Sequence, residues 1–280
     1  MLYYQNYDLF TLNTMRLHAV AADYYKPESI DELSALIVRL KAEGTNYHLL
    51  GGGSNILMPP HVGTVVALGC ICSDINFEGN CVEVGASVRI QQLIRKAQQN
   101  DLGGIEFLFS LPCLLGGAIA MNAGRGKSHG IAISDFVESV TFLDADSGQI
   151  YTITKPECGF TYRHSVFRER RFIIVKARLK LISRSSEEVE LSIKERLERQ
   201  RTHLDAIRPS CGSVFSKCNH RLMRLLRGMH HGGATYSPKT TNWISNMGNA
   251  TYDDILFLIR LAKWFHKLTF QSCNLEIEIW

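Results

Sequence analysis

The sequence predicts a mixed α+β chain, and three observations predict it. Strand-like and helix-like patterns alternate over roughly the first hundred residues, strands dominate from 137 to 181, and a charged helix then leads into a separate C-terminal segment. Residues 18–26 read as a strand. Ser29-Ile30-Asp31-Glu32 has capping-box spacing and opens a helix with Leu33, Leu36, Ile37 and Leu40 on one face. Tyr47–Leu50 is the next strand, a glycine turn follows, and Val62 to Leu68 is another. Ile75-Asn76-Phe77 and Val82-Glu83-Val84 flank Glu78-Gly79-Asn80 as a hairpin, and Ser87 is placed to cap a helix carrying Ile90, Leu93, Ile94 and Ala97 that stops near Leu102-Gly103-Gly104. Beyond it come strands Val137 to Leu143, Gln149 to Thr154 and Phe172 to Leu181, the first two joined by Asp146-Ser147-Gly148. Ser185 or Ser186 starts a helix to about Thr202 whose Glu187, Glu188, Glu195 and Arg199 mark a solvated face. An amphipathic helix from about Tyr252 to Leu268 follows a turn-rich stretch. A domain boundary is expected near 184–208 and a weaker break near 70–74.

Composition narrows the function classes. The 280 residues are 45% apolar and 21% charged, which suits globular lobes, and the net charge of +4 is too small to indicate nucleic acid. The basic run Arg168-Glu169-Arg170-Arg171 is broken by an acid and reads as a solvated turn. Eight cysteines are scattered without CxxC spacing, so zinc ligation is unsupported and reduced thiols are expected. The N-terminus lacks the basic start and apolar stretch of a secretory leader, and the longest apolar segment, Ile255 to Ile259, is followed by Arg260 and Lys263 and reads as a packed helix.

Chemistry concentrates in a few places. Gly51-Gly52-Gly53-Ser54-Asn55 follows a short apolar run, and consecutive N–H groups with two polar side chains suit an anion as well as they suit an ordinary turn. Pro59 and Pro60 stand where a dinucleotide-fold helix would open, which argues against that fold. A second small-residue cluster, Leu115 to Gly124, could clamp an elongated cofactor with the first, or could be a helix needing close packing. Tyr162 to Phe167 alternates as a strand would, placing Arg163, Ser165 and Phe167 on one face. There the guanidinium could hold a carboxylate or lie idle at the surface. Gly212-Ser213-Val214-Phe215 presents a hydroxyl on a turn. Leu275 to Ile279 alternates so that Glu276 and Glu278 share a face.

Taken in order, these segments resemble the UDP-N-acetylenolpyruvoylglucosamine reductase family. The resemblance runs through Asn13-Thr14-Met15, Leu50 to Leu57, Gly116-Gly117-Ala118 with Met121 to Gly124, Tyr162-Arg163-x-Ser165-x-Phe167, Gly212 to Phe215, Ser237-x-Lys239 with Asn242 and Asn246, and Leu275-x-x-Glu278. It implies an α+β fold with an FAD-binding domain of the vanillyl-alcohol-oxidase type in two parts, 1–72 and 73–184, and a smaller α+β substrate domain, 185–280. The implied reaction is NADPH-dependent reduction of a UDP-sugar enolpyruvyl ether in peptidoglycan precursor synthesis, by a cytoplasmic monomer of the shorter form that lacks an inserted tyrosine loop. Arg163, Ser213 and Glu278 are the implied catalytic set. Gly51, Gly52, Gly53, Ser54, Asn55, Gly116, Gly117, Asn122 and Gly124 would contact FAD, and Tyr162, Lys217, Lys239 and Asn242 would contact substrate. No metal is implied. The chain departs from the family pattern at Cys113-Leu114-Leu115, at Ser216-Lys217-Cys218, where the lysine is displaced by one position, and at Thr240, where a histidine is usual. A paralogous flavoprotein with another substrate, or a nucleotide-binding protein without activity, fits the same segments.

Overall fold

Most expected elements form where their local signals put them. A computed structural model describes residues 1–280 apart from 126–129, 170, 171 and 206. The first half of the chain contains β1 (Leu2–Asp8), β2 (Val20–Lys26), α1 (Ile30–Ala42), β3 (Tyr47–Leu50), β4 (Ile56–Leu57), β5 (His61–Ala67), β6 (Ile75–Glu78), β7 (Cys81–Gly85), α2 (Ile90–Gln98), β8 (Leu102–Gly103) and α3 (Leu115–Ala120). Then come β9 (Val137–Asp144), β10 (Ile150–Thr154), α4 (Val166–Glu169), β11 (Phe172–Lys180), β12 (Ile182–Ser183) and α5 (Ser186–His203). The remainder is β13 (Ser210–Ser213), β14 (Phe215–Lys217), α6 (His220–Leu225), β15 (His230–His231), β16 (Ala234–Tyr236), β17 (Trp243–Asn246), α7 (Tyr252–Leu268), β18 (Asn274–Leu275) and β19 (Glu278–Ile279).

The caps show why helices start where they do. Ser29 Oγ accepts from Glu32 N–H at 3.1 Å at the head of α1 while the Glu32 carboxylate accepts from Glu28 N–H, and at the head of α5 Ser185 and Glu188 exchange a reciprocal pair. Ser87 is not the cap of α2. Its hydroxyl donates to the Leu68 carbonyl, and Arg89 stands at the N-cap without a side-chain bond. Strand β1 went unread because its residues are mostly polar or tyrosine and largely exposed, leaving no period-two apolar signal.

Contacts divide the chain into two units. The first comprises Met1–Tyr4, Tyr24–Gly52 and Thr64–Leu197, and the second comprises Gln5–Asp23, Gly53–Gly63 and Glu198–Trp280. The first is organised by an antiparallel sheet of order β10-β9-β11-β7-β6, and β3 runs parallel to β5. One β-bulge in β11 explains how this sheet serves two cores. Ile174 pairs with Phe142 and Lys176 with Thr141, so Val175 is an extra residue and the side chains beyond it change face. Ile173 and Val175 therefore pack with α1 through Leu33, Leu36, Ile37 and Leu40, whereas Ala177 and Leu179 join Ile90, Leu93, Ile94 and Ile119 of α2 and α3. Each such apolar side chain contributes about 1.5–3 kcal/mol on burial.

The second unit has its own core, in which Ile255, Leu258, Ile259 and Ala262 of α7 pack on Val214, Phe215, Tyr236 and Ile244. Its sheet has order β13-β17-β16-β15, and two short ladders join β14 to β18 and β19 to β4.

Two strand expectations fail. Tyr162 to Phe167 is a turn running into α4, because Arg163 takes φ +58° and Thr161 and His164 bridge each other. Leu275 to Ile279 is broken at Glu276-Ile277 into β18 and β19, so Glu276 is buried while Glu278 is exposed. Of the basic run, Arg170 and Arg171 lie outside the described residues, and Arg168 is exposed with Nη1 donating to the Arg163 carbonyl at 3.2 Å.

Candidate active site

The first glycine turn leaves β3 at Leu50, and two of its three glycines are needed for packing. Gly53 has φ +62°, and a Cβ there would stand 1.9 Å from the Leu12 carbonyl oxygen, so no other residue fits. The apposed turn is fixed by buried Asn13, whose Nδ2 donates to the Leu9 and Leu17 carbonyls at 2.9 and 3.0 Å while Oδ1 accepts from Leu17 N–H at 2.9 Å. Thr14 N–H then donates to the Gly53 carbonyl at 3.1 Å. A Cβ on Gly52 would meet Cys113 Cα and the Pro112 carbonyl at 3.3 Å, which brings the first loop against the approach to the second.

Packing requires no glycine at Gly51 or Gly117. Neither has positive φ and neither would meet protein within 4 Å of an added Cβ. Gly117 lies inside α3, where glycine costs about 1 kcal/mol relative to alanine. Gly116 differs, since its Cβ would come within 3.1 Å of Ala86. Gly116 thus serves close packing, whereas Gly51 and Gly117 leave open backbone that a flat or phosphorylated ligand could approach. The donor set and open faces fit FAD. At Cys113, where the family pattern has a glycine, burial pushes the thiol up to about 12, so it packs as a neutral group.

Arg163 is anchored beside the second cluster through four hydrogen bonds between side chains and backbone. Asn122, 7% exposed and at φ +43°, donates from Nδ2 to the Thr161 carbonyl at 2.9 Å and accepts from Ser134 N–H at Oδ1. Fully buried Ser165 donates to the Ala120 carbonyl at 2.8 Å. Arg163 Nη2 donates to the Gly124 carbonyl at 3.0 Å, and its guanidinium lies 5.5 Å from the Tyr162 ring centroid. Gly124 must be glycine, because a Cβ would come within 2.4 Å of the Ile131 carbonyl. The Asn122 amide, expected at the cofactor, is thus engaged at both ends in holding the arginine turn.

In the second unit the backbone gathers Ser213, Asn242, Asn55 and the Glu278 strand. Ser213 pairs with Trp243 at a bulge whose Gly212 has φ +80°. Asn242, 7% exposed and at φ +65°, clamps the following residues: its Nδ2 donates to the Phe215 carbonyl at 2.7 Å, its Oδ1 accepts from Phe215 N–H at 2.9 Å, and its carbonyl accepts from Val214 N–H at 3.1 Å. The Val214 carbonyl accepts from Glu276 N–H at 2.8 Å, which joins this clamp to the C-terminal strand. Glu278 pairs with Ile56 in parallel register, its N–H donating to the Asn55 carbonyl at 2.9 Å, and Asn55 Nδ2 donates to the Glu276 carbonyl at 3.0 Å. Among the described residues the Ser213 hydroxyl and the exposed Glu278 carboxylate make no hydrogen bond or ion pair. They are chemically available.

The two lysines differ. Lys217 is exposed on β14 opposite Asn274, whereas the Lys239 ammonium donates to the Arg201 carbonyl in the last turn of α5. Thr240 has a structural use of its own. Its hydroxyl accepts from Asp205 N–H at 2.9 Å and donates to the His203 carbonyl at 3.2 Å, pinning the chain that leaves α5. Sequence pattern marks neither Ser165 nor Asn13 as a support: Ser165 sits in a segment whose alternation reads as a strand, and its partner Ala120 lies 45 positions earlier.

Residues 21–154 match the family model described as an FAD binding domain. The chain is 33% identical over 259 residues to the UDP-N-acetylenolpyruvoylglucosamine reductase of Caldanaerobacter subterraneus subsp. tengcongensis, covering 90% of this chain and 83% of that one. It is 32% identical over 284 residues to the enzyme of the same name from Carboxydothermus hydrogenoformans, covering 98% and 93%. The crystal structure of UDP-N-acetylenolpyruvylglucosamine reductase from Thermus caldophilus superposes with a TM-score of 0.80 at 27% identity, covering 100% of this chain and 98% of that one.

Proposed function

We propose, since this chain belongs to the UDP-N-acetylenolpyruvoylglucosamine reductase family, that it is an FAD-dependent reductase that uses NADPH to convert UDP-N-acetylglucosamine enolpyruvate to UDP-N-acetylmuramate in peptidoglycan precursor synthesis. The fold is α+β with an FAD-binding domain of the vanillyl-alcohol-oxidase type. We assign 1–72 and 73–184 to the two parts of that domain and 185–280 to the substrate domain. Among the described residues no helix is long and apolar enough to cross a membrane, and we take the protein to act in the cytoplasm as a monomer.

The chemistry that FAD supplies when bound is two-electron transfer between NADPH and the enolpyruvyl double bond. The protein's contributions follow from its own residues. Gly51–Asn55, Gly116, Gly117 and Gly124 hold the cofactor through backbone approach, and Asn122 acts by fixing the second loop. Arg163, with Tyr162 beside it, binds the substrate carboxylate and stabilises the negative charge that builds as the double bond is reduced. The Ser213 hydroxyl delivers a proton to the carbanion-like carbon. A serine is a weak acid in water, but a strongly basic carbon within hydrogen-bond reach makes the transfer favourable. Glu278 assists that proton delivery, and Lys217, Lys239 and Asn242 complete the substrate surface, the last two by holding backbone.

The observation that carries this assignment is the availability of Ser213 Oγ and the Glu278 carboxylate beside a backbone clamp built by Asn242 and Asn55. The test is a flavin absorbance spectrum followed by anaerobic reduction with NADPH and reoxidation by the enolpyruvyl substrate. Reduction without substrate-driven reoxidation would overturn the substrate assignment, and a colourless protein that takes up no FAD would overturn the cofactor.

A further inference from the structure

A pair of thiols lies in the second unit outside every group used above. In the β14–β18 ladder Lys217 stands opposite Asn274, so in antiparallel register the next residues outward are Cys218 and Cys273. Opposed residues in such a ladder have Cα atoms about 4.5–5.5 Å apart, inside the about 4.4–6.8 Å range that a disulfide spans. Both cysteines are half-buried and both are free thiols. Their proximity has an independent sign: each acts electrostatically on the buried Tyr236 phenol, and Cys218 helps burial push the Cys273 thiol up to about 11.

The pair also has an entrance. A cavity of about 440 Å³ is lined by residues 217–221 with Gln271 and Ser272. It therefore reaches Cys218 itself and the residue preceding Cys273. Its charged side chains Lys217 and Arg221 are cationic, which favours an anionic reagent, while burial and the Glu276 carboxylate push the Cys218 thiol up, so attack runs through a minor thiolate fraction. Neighbouring His266 takes no part as a base, because Nδ1 donates to the Ala262 carbonyl at 2.7 Å and Nε2 accepts from Asn219 N–H at 2.9 Å.

We propose that Cys218 and Cys273 form a thiol–disulfide exchange site for anionic low-molecular-weight disulfides, with Cys218 as the entry sulfur and Cys273 as the resolving one. Cys218, as thiolate, attacks one sulfur of the external disulfide, forming a mixed disulfide and expelling one thiolate, which takes up the proton Cys218 gave to solvent. Cys273 then attacks the Cys218 sulfur, closing the internal disulfide and expelling the second thiol with its proton. Two protein thiols are oxidised and one external disulfide is reduced to two thiols. The resulting link ties together the two strands that lead to Ser213 and Glu278. This inference is independent of the reductase assignment.

The test uses the FAD-loaded protein incubated with oxidised glutathione, quenched by alkylation and read by intact mass and peptide mapping. The expected result is a mass lower by two hydrogens and one cross-linked peptide joining Cys218 to Cys273. Cys273→Ser stops at a glutathione adduct on Cys218, and Cys218→Ser slows adduct formation at Cys273 by about tenfold or more. A persistent adduct in the unmodified protein, a link between other cysteines, or no reaction overturns the proposal. The peptide map of the unmodified protein decides it even where a variant fails to fold.

Discussion

The arginine turn and the serine bulge solve opposite problems. In the proposed mechanism Arg163 presents a fixed charge, and its turn is held by buried Asn122 and Ser165, with Gly124 accepting from the guanidinium itself. The proton donor proposed, Ser213, has a hydroxyl without a hydrogen bond among the described residues, and its neighbours Val214 and Phe215 are clamped by Asn242. A static charge tolerates protein hydrogen bonds; a proton donor is better kept from them. The difference teaches that in this molecule the polar residues around a working side chain bind its neighbours' backbone.

That comparison can be broken by substitution. Ser213→Ala should leave flavin reduction by NADPH intact and slow substrate-driven reoxidation by about 10²–10⁴-fold, measured by stopped-flow absorbance; loss of the first half-reaction instead would refute the serine's role. Asn242→Ala removes two buried bonds to Phe215 and should cost about 2–4 kcal/mol in a urea melt. Ser165→Ala should cost about 1–2 kcal/mol and lower turnover more than FAD retention, since the loosened turn carries Arg163. Equal loss of FAD and turnover would make the turn part of the cofactor site alone. Thr240→Ala, which releases the Asp205 N–H and the His203 carbonyl at the end of α5, should cost about 0.5–1.5 kcal/mol with turnover nearly unchanged.

Legibility in the sequence followed the locality of the cause. Ser29 with Glu32, the Gly79-Asn80 hairpin and the apolar stripe of α7 are written within a few residues, and each formed as expected. Tyr162 to Phe167 misled because its alternation arises from a turn held by residues some forty positions earlier, and period-two reasoning has no access to Asn122 or Ala120. Leu275 to Ile279 misled for a similar reason: Val214 draws Glu276 N–H away, and Asn55 takes Glu278, so one apparent strand serves two partners. The glycines divided likewise. That Gly53 answers to Leu12 could be known only from the folded chain, whereas the need for close backbone approach in that loop was visible from composition.

Two hydrogen bonds, from Asn55 Nδ2 to the Glu276 carbonyl and from Glu278 N–H to the Asn55 carbonyl, tie the end of the glycine turn to the C-terminal strand. Any ligand that orders the loop lowers the entropy the carboxylate strand has left to lose, so a second ligand engaging Glu278 binds with part of that loss already met. Reciprocity then requires that whatever engages Glu278 tightens the loop's hold on its own ligand by the same factor.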